Sequence, residues 1–389
     1  MKLRLKKILF ILFSVGIVVG IFSYFSTENV LQEKTIAPKK DVNSIINDKT
    51  ISLDKRVEVI LKQMTPAEKV GQMVMIGVQG TQINDDSLYM LNEYNIGGII
   101  LFDRNMENKQ QVQKLTADLQ ANAPENIPLF IGIDEEGGDV IRMETELTPP
   151  PSAKEIGETN EPEQAKIWAD KTAKELKGLG INLNFAPVAD VGSNDRRSYS
   201  TDVQKVTEFV INAGKGYEEN NLLYCLKHFP GIGKGQVDTH VNSYSVPAES
   251  EILRNEDLVP FKLAIDKLSA DRYFIMVSHL TYPAFDETFP ASLSPKIITG
   301  ILRDELDYQG IVITDDLEMG AISKHYSFEE TGVKAVQAGV DIVLVCHEYE
   351  HEIDVYNGIL KAVQNGTISE DRLNESVRRI LKVKLMNLT

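Results

Sequence analysis

Seven groups of titratable side chains stand out in the sequence for where they occur. Six of them close short apolar runs: Asp134-Glu135-Glu136-Gly137-Gly138, Pro187-Val188-Ala189-Asp190, Lys227-His228, Ser278-His279, Thr314-Asp315-Asp316 and Cys346-His347. The seventh, Asp238-Thr239-His240, follows a loop built on Gly231, Gly233 and Gly235. Carboxylates in the company of imidazoles and a lysine can attack an electrophile and move protons near neutral pH, where histidine titrates. Any one group alone could be a helix cap or a turn. Six of them at the same place relative to an apolar run favour an enzyme over a scaffold.

The runs that must position them number eight: Val70–Val78, Ile96–Phe102, Pro128–Asp134, Ile181–Val191, Leu222–Phe229, Tyr273–Leu280, Gly310–Asp315 and Asp341–His347. Each is short and rich in β-branched or aromatic residues, as buried parallel strands are. Between them lie helical patterns such as Gln110–Gln120, Glu163–Leu179, Val203–Asn220, Ile252–Leu268 and Pro295–Leu306. Two more, His351–Gln364 and Ser369–Leu385, finish the chain. Strand–helix alternation predicts an α/β protein, and eight such units predict a closed (β/α)8 TIM-type barrel. Chemistry in such barrels gathers at the carboxyl ends of the strands, where the titratable groups stand. An open Rossmann-like sheet is the other α/β arrangement, but no Gly-x-Gly-x-x-Gly follows an early strand. No linker or composition break follows residue 50, so 51–389 read as one catalytic domain.

The 389 residues carry a formal charge of −16, with 42% hydrophobic and 25% charged residues, the balance of a globular protein. A polyanion repels phosphates, which excludes nucleic acid bound through a broad basic face. The charge is uneven: residues 1–50 are net +4 and the remainder net −20. Lys2, Arg4, Lys6 and Lys7 precede an apolar run from Ile8 to Phe25. At 1.5 Å per residue such a helix spans roughly 27 Å, close to a bilayer core. We therefore expect a membrane anchor over 1–25, a polar tether over 26–50 and the body outside the cell. A cleaved signal peptide, which would leave the body secreted, is the other reading, although no Ala-x-Ala-like site follows the run. Cys225 and Cys346 are too few for a disulfide framework and are expected to be buried thiols. His325, His347 and His351 show no metal-ligand spacing with nearby acids, so no metal or other cofactor is expected.

The stretch Lys227-His228-Phe229-Pro230-Gly231-Ile232-Gly233-Lys234-Gly235-Gln236-Val237-Asp238-Thr239-His240, together with Ile313-Thr314-Asp315-Asp316-Leu317-Glu318-Met319-Gly320, resembles the family 3 glycoside hydrolases, in their β-N-acetylhexosaminidase branch. The resemblance extends to Ile133–Gly138, Asn184–Asp190 and Pro290–Ser294, and covers roughly residues 55–385. It implies a carbohydrate substrate ending in β-linked N-acetylglucosamine, with cell-wall fragments suggested by an outward-facing tether. Glycoside hydrolysis needs a proton donor to the leaving oxygen and a group that stabilises an oxocarbenium-like centre. Asp315, at the end of an apolar strand, is the candidate nucleophile, the role the resemblance gives to the first aspartate of Thr-Asp-Asp. Asp316 is expected to point to the other side of the strand and cap the next helix. The resemblance makes His240 the acid/base and Asp238 its partner, on a glycine-rich loop able to swing over the sugar. It also implies sugar contacts from Asp134, Arg142, Arg197, Lys227 and His228. His279 reads equally as a pocket residue and as a packed structural histidine.

Two positions depart from the family pattern: Ile232 stands where histidine is usual, and Asp139 where arginine usually follows Glu-Gly-Gly. They bear on loop geometry and sugar affinity rather than on reaction type. A β-glucosidase or a glycoside phosphorylase of the same family is the neighbouring enzyme reading. A catalytically weak carbohydrate-binding protein on the same fold is the reading from another class.

Overall fold

Each of the eight apolar runs supplies a strand: Val74–Gly77, Gly98–Leu101, Phe130–Ile133, Leu183–Asn184, Leu223–Phe229, Tyr273–Val277, Ile311–Asp316 and Ile342–Val345. In the computed structural model, residues 41–192, 196–238 and 243–389 are described. The expected anchor, residues 26–40 of the expected tether, His240 and the side chain of Asp238 lie outside the described residues. No described helix is long and apolar enough to cross a membrane.

The strands pair in parallel, each with the next in the chain, and the eighth closes on the first through Val74 opposite Val343. The sheet is the closed barrel that the alternation predicted. Its strands are buried on both faces, the interior by strand side chains and the outside by helices that follow each strand. Gly132, in the third strand, shows how tightly the interior is filled. A Cβ there would lie 2.7 Å from Met75 Cε and 2.8 Å from Phe185 Cε2, so only glycine fits without repacking. At the amino-terminal end of the strands, Asp341 is fully buried and held by Arg303, Arg372 and Arg379.

The structure differs from the expected boundaries at two places. The first run begins as a helix, Pro66–Gln72, because Thr65 and Glu68 form a capping box with proline behind the cap; the strand starts only at Val74. The expected tether is shorter at its carboxyl end: Val42–Asn47 is a helix whose Val42, Ile45 and Ile46 are buried. Arg56 Nη1 donates to Ile46 O at 2.6 Å and ties this turn to the next helix, Leu53–Gln63. Three apolar residues at i, i+3 and i+4 are too few to show a period in sequence. A small four-stranded sheet was also not foreseen. It joins Gln236–Asp238 and Ser243–Ser245, after the fifth barrel strand, to Thr281–Tyr282 and Asp286–Pro290, after the sixth.

Candidate active site

At the carboxyl end of the barrel a cavity of about 280 Å³ is lined by Asp134, Glu136, Arg142, Arg197, Lys227, His228, Asp315 and Asp316. The five residues expected to contact sugar and the expected nucleophile thus share one cavity. They come from the ends of the third, fifth and seventh strands and from the loop after the fourth. A second cavity of about 410 Å³ adjoins it through Arg197, His228, Asp315 and Met319, and reaches Ile232 and Lys324.

Lys227 is the electrostatic centre. Its Nζ lies 2.6 Å from Asp134 Oδ1 and 2.7 Å from Glu136 Oε1. Burial works against the ammonium, but Asp134 and Glu136 outweigh it and hold the group above the ordinary lysine range. Glu136 also takes two hydrogen bonds from Arg197, Nε to Oε2 and Nη2 to Oε1, both at 2.8 Å. Burial pushes the Glu136 carboxyl up, yet Lys227 and Arg197 bring it down to about 2. Glu136 was not singled out from the sequence. Side chains two apart on a strand share a face, so its spacing from Asp134 was the available signal.

His228 is held from the opposite side by Asp190. Asp190 Oδ2 is 2.8 Å from His228 Nδ1, and its Oδ1 accepts the His228 main-chain N–H at 3.1 Å and that of Ile232 at 2.9 Å. Arg197 Nη2 stands 3.3 Å from His228 Nε2. Arginine only donates, so Nε2 accepts and the ring proton sits on Nδ1, facing the carboxylate. The Lys227–His228 peptide is cis, as are Ala186–Pro187 and Phe229–Pro230. Arg142 reaches the cavity from beyond Glu135, whose Oε2 accepts the Arg142 N–H at 2.7 Å.

The loop expected to carry the acid/base is fixed at its base. Tyr282 O–H donates to Gly231 O at 2.9 Å. Lys234 Nζ lies 2.7 Å from Asp257 Oδ2 and 2.9 Å from Glu256 Oε2. Beyond Gln236–Asp238, His240 is outside the described residues. The departing residue Ile232 lines the second cavity, and Asp139 forms an exposed ion pair with Arg196 at 2.8 Å.

Contrary to the expectation that it points away, Asp316 lines the cavity beside Asp315. The cause is a break in register. Ile313 faces Ile342 but Asp316 faces Leu344, three residues against two, so a bulge interrupts the alternation. Asp316 Oδ1 accepts the Glu318 N–H at 3.1 Å, a local turn rather than a helix cap. His279 is 3% exposed, with Nδ1 2.7 Å from Ser292 Oγ and Nε2 2.8 Å from Asp316 O.

One acidic group needs a chemical reading, because no metal was expected. Ligand atoms of Asp316, Glu318 and His347 lie within 4.8 Å of one another. Glu318 already accepts main-chain N–H groups of Cys346 and Glu348, at 2.9 and 3.1 Å, and its Oε1 is 2.6 Å from His351 Nδ1. Arg104 occupies His347 Nδ1. Glu318 thus brackets the segment after the eighth strand, and His347 turns its Nε2 toward Asp316. The larger cavity of 550 Å³, at Arg303, Arg372 and Arg379, carries no chemistry of its own, since these arginines are engaged by Asp341 and main-chain carbonyls.

A family model for the glycosyl hydrolase family 3 N-terminal domain matches residues 65–383. A β-hexosaminidase A of Pseudoalteromonas piscicida is 35% identical over 326 residues, spanning 76% of this chain and 54% of that protein. A β-hexosaminidase of Stenotrophomonas maltophilia is 35% identical over 312 residues, spanning 76% and 88%. Among solved structures, a glycoside hydrolase family 3 β-N-acetylglucosaminidase from a Paenibacillus species superposes with a TM-score of 0.79 at 39% identity, covering 84% of this chain and 64% of that one. The chain therefore spans about half the length of the first of these relatives and most of the second. With a matching family model over most of its length and relatives at this identity, the chain belongs to glycosyl hydrolase family 3.

Proposed function

We propose that the protein is a retaining exo-β-N-acetylglucosaminidase. The observation that carries the reading is the position of Asp315 in a small cavity whose other walls are charged hydrogen-bonding groups suited to sugar hydroxyls. A cavity of 280 Å³ is at the small end of the range for ligand pockets and suits one terminal sugar ring rather than a long glycan. The name of the Paenibacillus structure, a β-N-acetylglucosaminidase, supports N-acetylglucosamine as that ring, and the β-hexosaminidase names of the other two are compatible with it.

The reaction is a double displacement. A carboxylate oxygen of Asp315 attacks the anomeric carbon as its bond to the aglycone oxygen breaks. The His240 imidazolium, oriented by Asp238, gives that oxygen its proton. Water then attacks the glycosyl ester from the other side, His240 takes a proton from it, and Asp315 leaves as carboxylate. Asp134, Lys227, His228, Arg142 and Arg197 hold the sugar throughout. We further assign the anchor to the membrane, the body to the outside and peptidoglycan fragments to the site as substrate. These assignments rest on the +4 amino-terminal segment and its apolar run.

A chromogenic N-acetyl-β-glucosaminide tests the core of the reading. Turnover is expected, with release of free sugar in the presence of phosphate, and Asp315→Ala and His240→Ala are expected to abolish it with this substrate's sugar still bound. Sugar 1-phosphate as product would make the enzyme a phosphorylase. Binding without turnover by the unmodified chain would make it a carbohydrate-binding protein. Turnover that survives Asp315→Ala would remove the nucleophile assignment.

A further inference from the structure

The bulge at the end of the seventh strand has a bearing on how the nucleophile is aimed. Within it, the Asp316 main-chain N–H donates to Asp315 Oδ1 at 2.8 Å. The orientation of the Asp315 carboxylate is therefore tied to where the Asp316 backbone sits. Asp316 is held from three segments, at its main-chain carbonyl by one and at its carboxylate by two. The Glu318 N–H reaches Asp316 Oδ1 from the turn that follows. His279, at the end of the sixth strand, reaches Asp316 O. His347, after the eighth strand, brings Nε2 to 3.3 Å from Asp316 Oδ2.

The protonation of both histidines follows from their second nitrogens. Arg104 Nη1 stands 3.2 Å from His347 Nδ1, and arginine has no acceptor. His347 Nδ1 therefore presents a lone pair, and the proton is on Nε2, toward the Asp316 carboxylate. His279 Nε2 meets a carbonyl, which only accepts, so it carries the proton; Nδ1 then accepts from the Ser292 hydroxyl. Burial lowers the His279 pKa and favours this neutral form. Two imidazoles thus present their Nε2–H groups to one aspartate, His279 to its main-chain carbonyl and His347 to its carboxylate.

We propose that Asp316, gripped by His279 and His347, is the positioning residue of the nucleophile: the grip holds the bulge that turns Asp315 into the cavity. The proposal rests on the reading of Asp315 as nucleophile. Asp315 on the same strand, Glu318 in the turn and Cys346 and His347 after the eighth strand all face Asp316. Burial, with Glu318 and Asp315 adding to it, pushes the Asp316 carboxyl up to about 6. The ionised side chain is thus kept at a cost, which a role in aiming Asp315 explains.

Steady-state kinetics of Asp316→Ala, Asp316→Asn, His347→Leu and His347→Gln on an activated N-acetyl-β-glucosaminide test this, with melting temperatures alongside. A misplaced nucleophile loses roughly 10²-fold in rate. Asp316→Ala should show that loss in kcat with little change in KM. His347→Leu should lose part of the rate, and His347→Gln, which keeps an N–H toward Oδ2, should restore it. In Asp316→Asn the added N–H faces the His347 Nε2–H, so kcat should fall, and the kcat–pH profile should lose the Asp316 contribution and keep only that of the acid/base. The proposal is overturned if folded Asp316 variants keep the kcat and pH profile of the unmodified enzyme, or if His347→Gln is no better than His347→Leu. If Asp316→Ala fails to fold, the Asn and His347 variants decide alone. Asp315→Gly with added azide separates the two levels. An inactive variant that forms α-glycosyl azide upholds the nucleophile whatever Asp316 does. An Asp315→Gly variant that still hydrolyses removes the nucleophile, and the positioning role with it.

Discussion

Asp190 grips His228 at both its ring and its backbone, with Oδ2 2.8 Å from Nδ1 and Oδ1 3.1 Å from the main-chain nitrogen. The ring proton points at the carboxylate, which leaves Nε2 to accept from Arg197. Asparagine at position 190 would present an N–H to Nδ1 and move the proton to Nε2, where it meets the arginine's own N–H. Asp190→Asn should therefore raise KM by roughly tenfold, about 1.4 kcal/mol, through misplacement of Arg197 and His228. Kinetics on the chromogenic substrate measure the change; an unaltered KM would show that neither residue contacts the sugar.

Glu136 joins Lys227 and Arg197, and it is 5% exposed. Removing one partner of a buried charge network costs about 3–5 kcal/mol, because the remaining charges lose compensation. Glu136→Gln should lower the urea midpoint accordingly and weaken sugar binding as well, since Lys227 would keep only Asp134. A variant that unfolds like the parent would mean that solvent reaches this network.

Glu352 is fully buried in the first turn of Tyr349–Gln364, and burial, with Glu318 adding to it, pushes its carboxyl from 4.5 up to about 9. Because the folded value is raised, the stability contributed by the protonated acid is complete below about pH 4.5 and is lost as pH rises toward 9. The loss runs at about 1.4 kcal/mol per pH unit for one proton. Glu352→Gln should flatten that slope and leave the protein more stable than the parent at pH 8. Denaturant unfolding at pH 5 and pH 8 gives the comparison, and parallel curves for both proteins would remove the assignment.

Gly157 lies in the helix Ala153–Glu158, where a Cβ would fall 1.9 Å from Tyr199 O. That carbonyl belongs to the loop that brings Arg197 to the cavity. Gly157→Ala must push this backbone away, so it should cost about 1–3 kcal/mol, as overpacking does, and raise KM. Crystallography of the variant would show the displacement, and an unmoved Arg197 would contradict it.

The barrel was legible because parallel strands buried on both faces read as unbroken β-branched runs, as in Ile99, Ile100 and Ile131. The sugar-facing residues were legible through their place at strand ends and through the resemblance. Three features were not. Glu136 was hidden behind equivalent acids at 134 and 135, and what sets it apart is its paired hydrogen bonds from Arg197. The direction of Asp316 depends on a bulge, and a bulge is a register between two strands, which one strand's sequence does not carry. The helix Val42–Asn47 has a single buried turn whose apolar residues look like ordinary tether composition.

The small sheet at the rim carries a consequence for anyone wishing to change the specificity of this enzyme. Its strands Ser243–Ser245 and Thr281–Tyr282 touch through Ser245 and Thr281, and Val246 N donates to Thr281 O at 2.8 Å. The segment to which we assign the proton donor is thus stitched to the segment after the next barrel strand. Loop exchange, the usual route to new substrates on this scaffold, cannot treat the two as independent cassettes. A donor loop after the fifth strand would have to travel with its own companion after the sixth, or be redesigned to match the edge that Thr281 offers.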